Sequence, residues 1–146
     1  MVSAAPLDDW ADCGLPRLKL VQTDSFDEVR AYLAASSVAA LPRTVCSGYP
    51  IKLLNYLGMG LPTVAARGSA QELPGVVAVP NHDPGAMAAA LRSLLEDTPR
   101  RRRVGAAART HVLSACTWDA RAGELESVYW KVLDGSKHAE RSSQRL

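Results

Sequence analysis

Between Cys46 and Pro62 the chain reads CSGYPIKLLNYLGMGLP, a short apolar helix whose polar positions are spaced for holding an anion. Pro50 suits the first helical position, where a missing N–H costs nothing, and the amides of Ile51, Lys52 and Leu53 then lack an intrahelical acceptor. Such an end carries partial positive charge and is a ready anion site, and Gly48 lets the chain approach a ligand closely. At 100° per residue Lys52, Asn55, Tyr56 and Met59 share one face, so an ammonium and an amide stand three residues apart in line with the helix start. Ile51, Leu54 and Gly58, with Leu53 and Leu57 beside them, form the face expected to turn to the core. The solvated side of an ordinary amphipathic helix would carry the same two polar residues. Gly60 ends the helix, and Pro62 bars its continuation.

The elements that position this helix follow from the hydrophobic pattern. LKLVQ (18–22), VAALP (38–42), PTVAA (62–66) and GVVAV (75–79) read as strands with almost no polar alternation, as strands covered on both faces do. Between them lie SFDEVRAYLAAS, with Ser25 and Glu28 in capping-box spacing, and the helix of PIKLLNYLGMG. The alternation βαβαβ predicts an α/β fold, a Rossmann-like parallel sheet of about four strands with right-handed crossovers and helices on both faces. The helix from Pro50 then begins at the carboxyl edge of the sheet, where open α/β sheets bind ligands.

The second half is helical. Asp83 and Pro84 open one helix and Thr98 and Pro99 another by the same device. After Thr117 the stripe Leu125, Val128, Tyr129 and Val132 predicts a third, clamped onto the sheet or onto a missing neighbour. Residues 1–17 contain no convincing element, 18–134 form the folded unit, and 135–146, poor in apolar residues, read as a disordered tail. A sheet that opens without a β–α unit reads as truncated on its N-terminal side.

With 146 residues, 47% apolar and 22% charged, the chain suffices for one domain with a real core. Mixed charges summing to +2 give no footprint for nucleic acid. Cys13, Cys46 and Cys116 lack metal-ligand spacing and read as reduced thiols, so no metal is expected and the chain reads as cytoplasmic. Arg100–Arg103 point around the whole helix and follow Glu96 and Asp97, which favours a solvated helix start over a phosphate patch. His82, His111 and His138 are isolated, with His111 read as half-buried packing, and Trp118 and Trp130 read as packing anchors. Gly58-Met-Gly60 lies at a helix end and does not make a dinucleotide fingerprint; a P-loop is missing, and the strand ends lack the aspartates of a receiver domain.

In ordered series, LKLVQTDSFDEVRAYLAASSVAALPRT, SGYPIKLLNYLGMGLPTVAARGSAQEL, VAVPNHDPGAMAAALRSLLED and CTWDARAGELESVYWKVL resemble the C-terminal, nucleotide-sugar-binding domain of retaining GT-B glycosyltransferases. The resemblance implies transfer of a sugar from a nucleoside diphosphate sugar with retention and without a bound metal or cofactor. It implies that the diphosphate and donor sugar meet Ser47, Gly48, Tyr49, Pro50, Ile51 and Lys52, the ribose Asn55, and the base Gln22, Thr23, Leu41, Pro42 and Arg43. Gly68 and Ser69 are expected on the same edge. Two glutamates usually flank the donor-site helix in this family; aligning on Gly60-Leu61-Pro62 places Ser47 and Asn55 there, neither able to supply a charged acceptor. The family's upstream basic pair and its acceptor-binding N-terminal Rossmann domain are missing, so a companion domain or partner chain is implied, through which alone a membrane surface would be met. Lys52 is expected to replace part of the lost charge. The same architecture leaves two alternatives, a non-catalytic nucleotide-sugar-binding or scaffold remnant and a sugar-nucleotide 2-epimerase-like fragment.

Overall fold

The computed structural model describes residues 2–3, 7–8 and 13–143. Its centre is a parallel sheet of three strands, β3 (Ala39–Leu41), β4 (Thr63–Ala66) and β5 (Val76–Val79), in that spatial order. Ala39 pairs with Thr63, and Thr63 with Val76, so the strands start level. All four residues of β4 are buried, as a central strand covered on both faces requires.

Successive residues of β4 serve opposite faces. Ala65 belongs to a core with Leu41, Leu53, Leu57 and Ala108, built by α2 (Ile51–Gly58) and α4 (Thr98–Ala115). Val64 belongs to the other core, with Val79 and Leu94 of α3 (Pro84–Glu96). The result is three layers, α2 and α4 on one side of the sheet and α3 on the other.

The fourth expected strand does not join this sheet. The stretch 18–22 is extended only at β2 (Val21–Gln22), which pairs in parallel with β1 (Val2–Ser3) in the segment expected to be irregular. Leu18 N–H is spent on Leu15 O at 3.0 Å, in a turn that shortens the strand, and a two-residue strand leaves no sequence signature. Residues 1, 4–6 and 9–12 of that segment lie outside the described residues.

Helix α1 (Phe26–Ala34) starts on the expected cap, Ser25 Oγ accepting from Glu28 N at 3.3 Å. The cap of α4 is one residue earlier than expected: Asp97 Oδ1 accepts from Arg100 N at 2.9 Å, a carboxylate next to free amides being the stronger acceptor, and Thr98 is already helical. Close approach of α4 to the end of α2 needs Gly105, whose added Cβ would strike Gly60 O. Arg109 Nη1 donates to Gly58 O at 2.5 Å and Arg101 Nη1 to Leu94 O and Leu95 O at 3.1 and 2.7 Å. Arg109 and Arg101 thus close the C-termini of α2 and α3, satisfying carbonyls that a helix end leaves unpaired.

The last helix, α5 (Trp118–Ser143), departs most from expectation. Its backbone continues beyond the end read from the apolar pattern and through most of the expected tail; Lys, Ala, Glu and Arg are good helix formers even without a face to bury. Residues 144–146 lie outside the described residues. The stripe Leu125, Val128, Tyr129 and Val132 does not clamp onto the sheet but is 53–61% exposed. Trp118 is 90% exposed and Trp130 lies on solvent with Nε1 donating to Glu126 at 3.5 Å, so neither anchors the core.

Candidate functional site

The parallel crossover from β3 through α2 to β4 sets the start of α2 at the carboxyl edge of the sheet. The loop between β3 and α2 is held by local bonds: Arg43 Nε donates to Val45 O at 2.8 Å and Cys46 Sγ to Gly48 O at 3.3 Å. Gly48 has φ +102° with open space around the position of a side chain, so its need for glycine is conformational.

Three loops of this edge are tied together by Asn81, which the sequence did not single out. Its Oδ1 accepts from Gly68 N at 2.9 Å and its Nδ2 donates to Thr44 O at 3.4 Å, joining the loops that follow β3, β4 and β5. A Cβ on Gly68 would collide with Thr44 O, so the glycine is required by this close approach. Ser69 is buried with Oγ donating to Ala66 O at 3.3 Å and closes the turn after β4.

At the helix start the geometry differs from expectation by one position. Pro50, buried, is the N-cap, and its carbonyl accepts from Leu53 N at 2.8 Å. Leu53 N–H is therefore occupied, because the first turn tightens, and the amides of Ile51 and Lys52 are left as the donors of the helix end. Ser47, Gly48, Tyr49 and Lys52 are exposed around it.

The core face of α2 is carried by Leu53 and Leu57, both fully buried, with Tyr56 packed against them. Ile51, expected in the core, is 70% exposed, since the sheet and α4 meet the helix on the Leu53 side. Burial raises the Tyr56 hydroxyl above its ordinary pKa of 10.0. The polar face is thus split: Lys52 points to solvent, whereas Asn55 is half-buried in a cavity of about 410 Å³ between α1, α2 and the end of α4, with Phe26, Arg30, Ile51 and Met59 in its walls.

A second cavity, about 440 Å³, adjoins the first across Leu54 and Cys116. Tyr49, Gln71, Glu72, His111 and Arg121 line it, so the half-buried His111 has a position beyond packing. Burial raises the Tyr49 hydroxyl above 10.0, with Cys116 adding to the shift and Arg121 opposing it.

The residues implied to meet the base are dispersed. Gln22 is exposed on β2; Thr23 Oγ1 accepts from Ser25 N at 3.1 Å; Pro42 and Arg43 are exposed after β3; the Leu41 side chain is in the core. Among the described residues Cys13, Cys46 and Cys116 are free thiols, and no helix is long and apolar enough to cross a membrane.

Comparison with known proteins converges on one family. The model of "Glycosyl transferases group 1" matches residues 3–97, more than half of the chain. D-inositol 3-phosphate glycosyltransferase of Corynebacterium diphtheriae is 33% identical over 118 residues, 77% of this chain and 27% of that protein. Sucrose-phosphate synthase of Thermosynechococcus elongatus superposes with a TM-score of 0.68 at 20% identity, over 82% of this chain and 31% of the synthase, which establishes the shared fold. The chain therefore spans about a third or less of the length of these relatives, as one Rossmann-like half of a GT-B architecture does.

Proposed function

The chain belongs to the glycosyl transferases group 1 family, and on that premise we propose that it is the donor half of an enzyme transferring a sugar, with retention, from a nucleoside diphosphate sugar. The observation that carries the reading is the start of α2 at the carboxyl edge of the sheet, with Gly48 in a left-handed turn, the amides of Ile51 and Lys52 leading the helix, and the Lys52 side chain in solvent beside them. Oriented amides and a cation at this end would hold the diphosphate and stabilise the charge it gains as the glycosidic bond breaks. Ser47, Tyr49 and Pro50 frame that position. Asn55, one turn along, would meet the ribose, and Gln22, Thr23, Pro42 and Arg43 are the groups from which a base contact would come. The backbone at Leu41 is the part of that residue open to such a role, its side chain being buried.

A cytoplasmic chain of this kind would work with a companion Rossmann domain, on the same polypeptide or on a partner, that binds the acceptor and closes the cleft. No metal or other cofactor enters the proposed chemistry. By itself the chain is expected to bind nucleotide without turning it over, because the other half of the cleft and the family's upstream basic pair, which would stabilise the leaving group, are not among its residues. A second reading, binding without catalysis, is favoured by the neutral side chains at Ser47 and Asn55, where a carboxylate would accept hydrogen bonds more strongly. Thermal-shift measurements with UDP, GDP, ADP and dTDP test the donor assignment: stabilisation by one of them beyond its nucleoside supports it, and no stabilisation by any refutes it. Turnover of a nucleotide-sugar by the isolated chain would contradict the requirement for a companion.

A further inference from the structure

The loop that carries Ser47 and Gly48 is anchored at its ends by burial, at Leu41 on β3 and at Pro50 before α2. From Pro42 to Tyr49 no residue is buried. Its own side-chain bonds, Arg43 to Val45 and Cys46 to Gly48, reach only two residues along the chain, so they shape the loop without fastening it to the fold. Asn81 fastens it. Nδ2 donates to Thr44 O at 3.4 Å across 37 residues of sequence, while Oδ1 accepts from Gly68 N at 2.9 Å.

The two partners dictate the side chain. A backbone N–H only donates and a carbonyl only accepts, so the bridge needs an acceptor and a donor on one short side chain, as an asparagine amide supplies. The backbone around Asn81 is set for this. On one side Val79 of β5 is buried; on the other His82 sits in the left-handed region at φ 59°, a conformation uncommon for a residue other than glycine, and Asp83 caps α3 by accepting from Ala86 N at 2.8 Å. Across the bridge, Gly68 lies so close to Thr44 O that a Cβ would collide with it, so the loops after β3 and β4 meet backbone to backbone. Breaking the bond to Thr44 therefore leaves the β4 and β5 loops in place and releases the loop whose own side-chain bonds are local.

We infer that Asn81 is a positioning residue for the donor site, holding the loop after β3 in the form that presents Gly48 and the start of α2, and acting through Thr44 instead of through the ligand. The inference rests on the proposed function for what the loop binds; the fastening of the loop does not depend on it. A loop held for only a fraction of the time lowers the apparent affinity by that fraction, so the bridge is read in binding.

Asn81→Asp separates the two bonds: the carboxylate still accepts from Gly68 N but faces Thr44 O with no proton to donate, whereas Asn81→Ala loses both. In the ligand-free chain, backbone order parameters of Val45, Cys46, Ser47 and Gly48 are expected to fall in both variants, that of Gly68 in Asn81→Ala only, and those of β4 and α3 in neither. Affinity for inorganic pyrophosphate, read by amide chemical-shift titration, should fall about threefold to tenfold in both, the range of one lost hydrogen bond. His82→Asp puts the same charge beside the bridge and leaves it intact; it controls for repulsion of the anion and should weaken pyrophosphate less than about twofold. Unchanged order at Val45 to Gly48 in Asn81→Asp, wild-type affinity in that variant, loss of order throughout the sheet, or equal weakening by His82→Asp would each overturn the inference. Absence of pyrophosphate binding by the wild type, with the loop loosened in the variants as described, would instead refute the donor assignment alone.

Discussion

Replacing Asn55 by glutamate should increase nucleoside affinity, and the size of the gain follows from where Asn55 lies. The residue is half-buried in the cavity between α1, α2 and α4, so a new carboxylate keeps enough solvent to remain ionised. Arg30 lines the same cavity, and its pairing with Asp27 at 3.1 Å is mostly exposed, worth at most about 1 kcal/mol, which leaves it available to the new charge. Exchanging a neutral acceptor for a charged one at a ribose diol strengthens the bond by about 1 kcal/mol, or roughly fivefold in affinity. A diphosphate at the helix start opposes this: over about 8 Å in water each unit of phosphate charge costs about 0.5 kcal/mol before salt screening, and Lys52 returns part of it. The gain should therefore be about fivefold for the nucleoside, about twofold for its diphosphate, and nil for the 2′,3′-dideoxy nucleoside, which offers no diol. Titration calorimetry with the nucleotide that stabilises the chain most measures all three. An equal change for ribo- and dideoxy ligands would refute the placement of Asn55 at the ribose.

Lys52→Ala should weaken a nucleoside diphosphate by about 1 kcal/mol, roughly fivefold, and leave the nucleoside unchanged, as calorimetry in low salt would read. Gly105→Ala should destabilise the fold by about 1–3 kcal/mol, since its Cβ strikes Gly60 O, whereas Gly123→Ala, with open space around it on α5, should be neutral or stabilising; urea unfolding compares them. Tyr56 ionises later in the folded chain than in the unfolded one, so the unfolded state releases its proton first and stability falls as pH rises above 10.0. Tyr56→Phe should flatten that alkaline loss in pH-dependent unfolding, and an unchanged profile would place its cause elsewhere.

The sequence carried the layered architecture because its strands read as unbroken apolar runs: VAALP, PTVAA and GVVAV all lie within one residue of β3, β4 and β5. It did not carry the fate of LKLVQ, whose composition suits a sheet strand but whose backbone is drawn into a turn with Leu15. On α2 the wheel centred the core face on Ile51, Leu54 and Gly58, whereas Leu53 and Leu57 are the buried pair, since both sides are apolar and only the position of α4 decides; Gly58, whose added Cβ would touch Val112 Cγ1 at 3.5 Å, records that position. The site was legible as far as the helix end and its glycine. Asn81, which bridges loops 37 and 13 residues away, gives no local signal, and neither does the cavity at His111, whose lining residues come from distant stretches. The exposed stripe of α5 marks the limit of pattern reading, because amphipathic spacing states that a face is apolar but not what it meets.

The central claim is that the start of α2 holds a diphosphate. Amide chemical-shift mapping during titration with inorganic pyrophosphate and with UDP, GDP, ADP and dTDP tests it most directly. The largest shifts are expected at Gly48, Ile51 and Lys52, present with pyrophosphate and strengthened by one of the four nucleotides. Shifts centred on Arg100–Arg103, or no shifts at the start of α2 with any of these ligands, would contradict it.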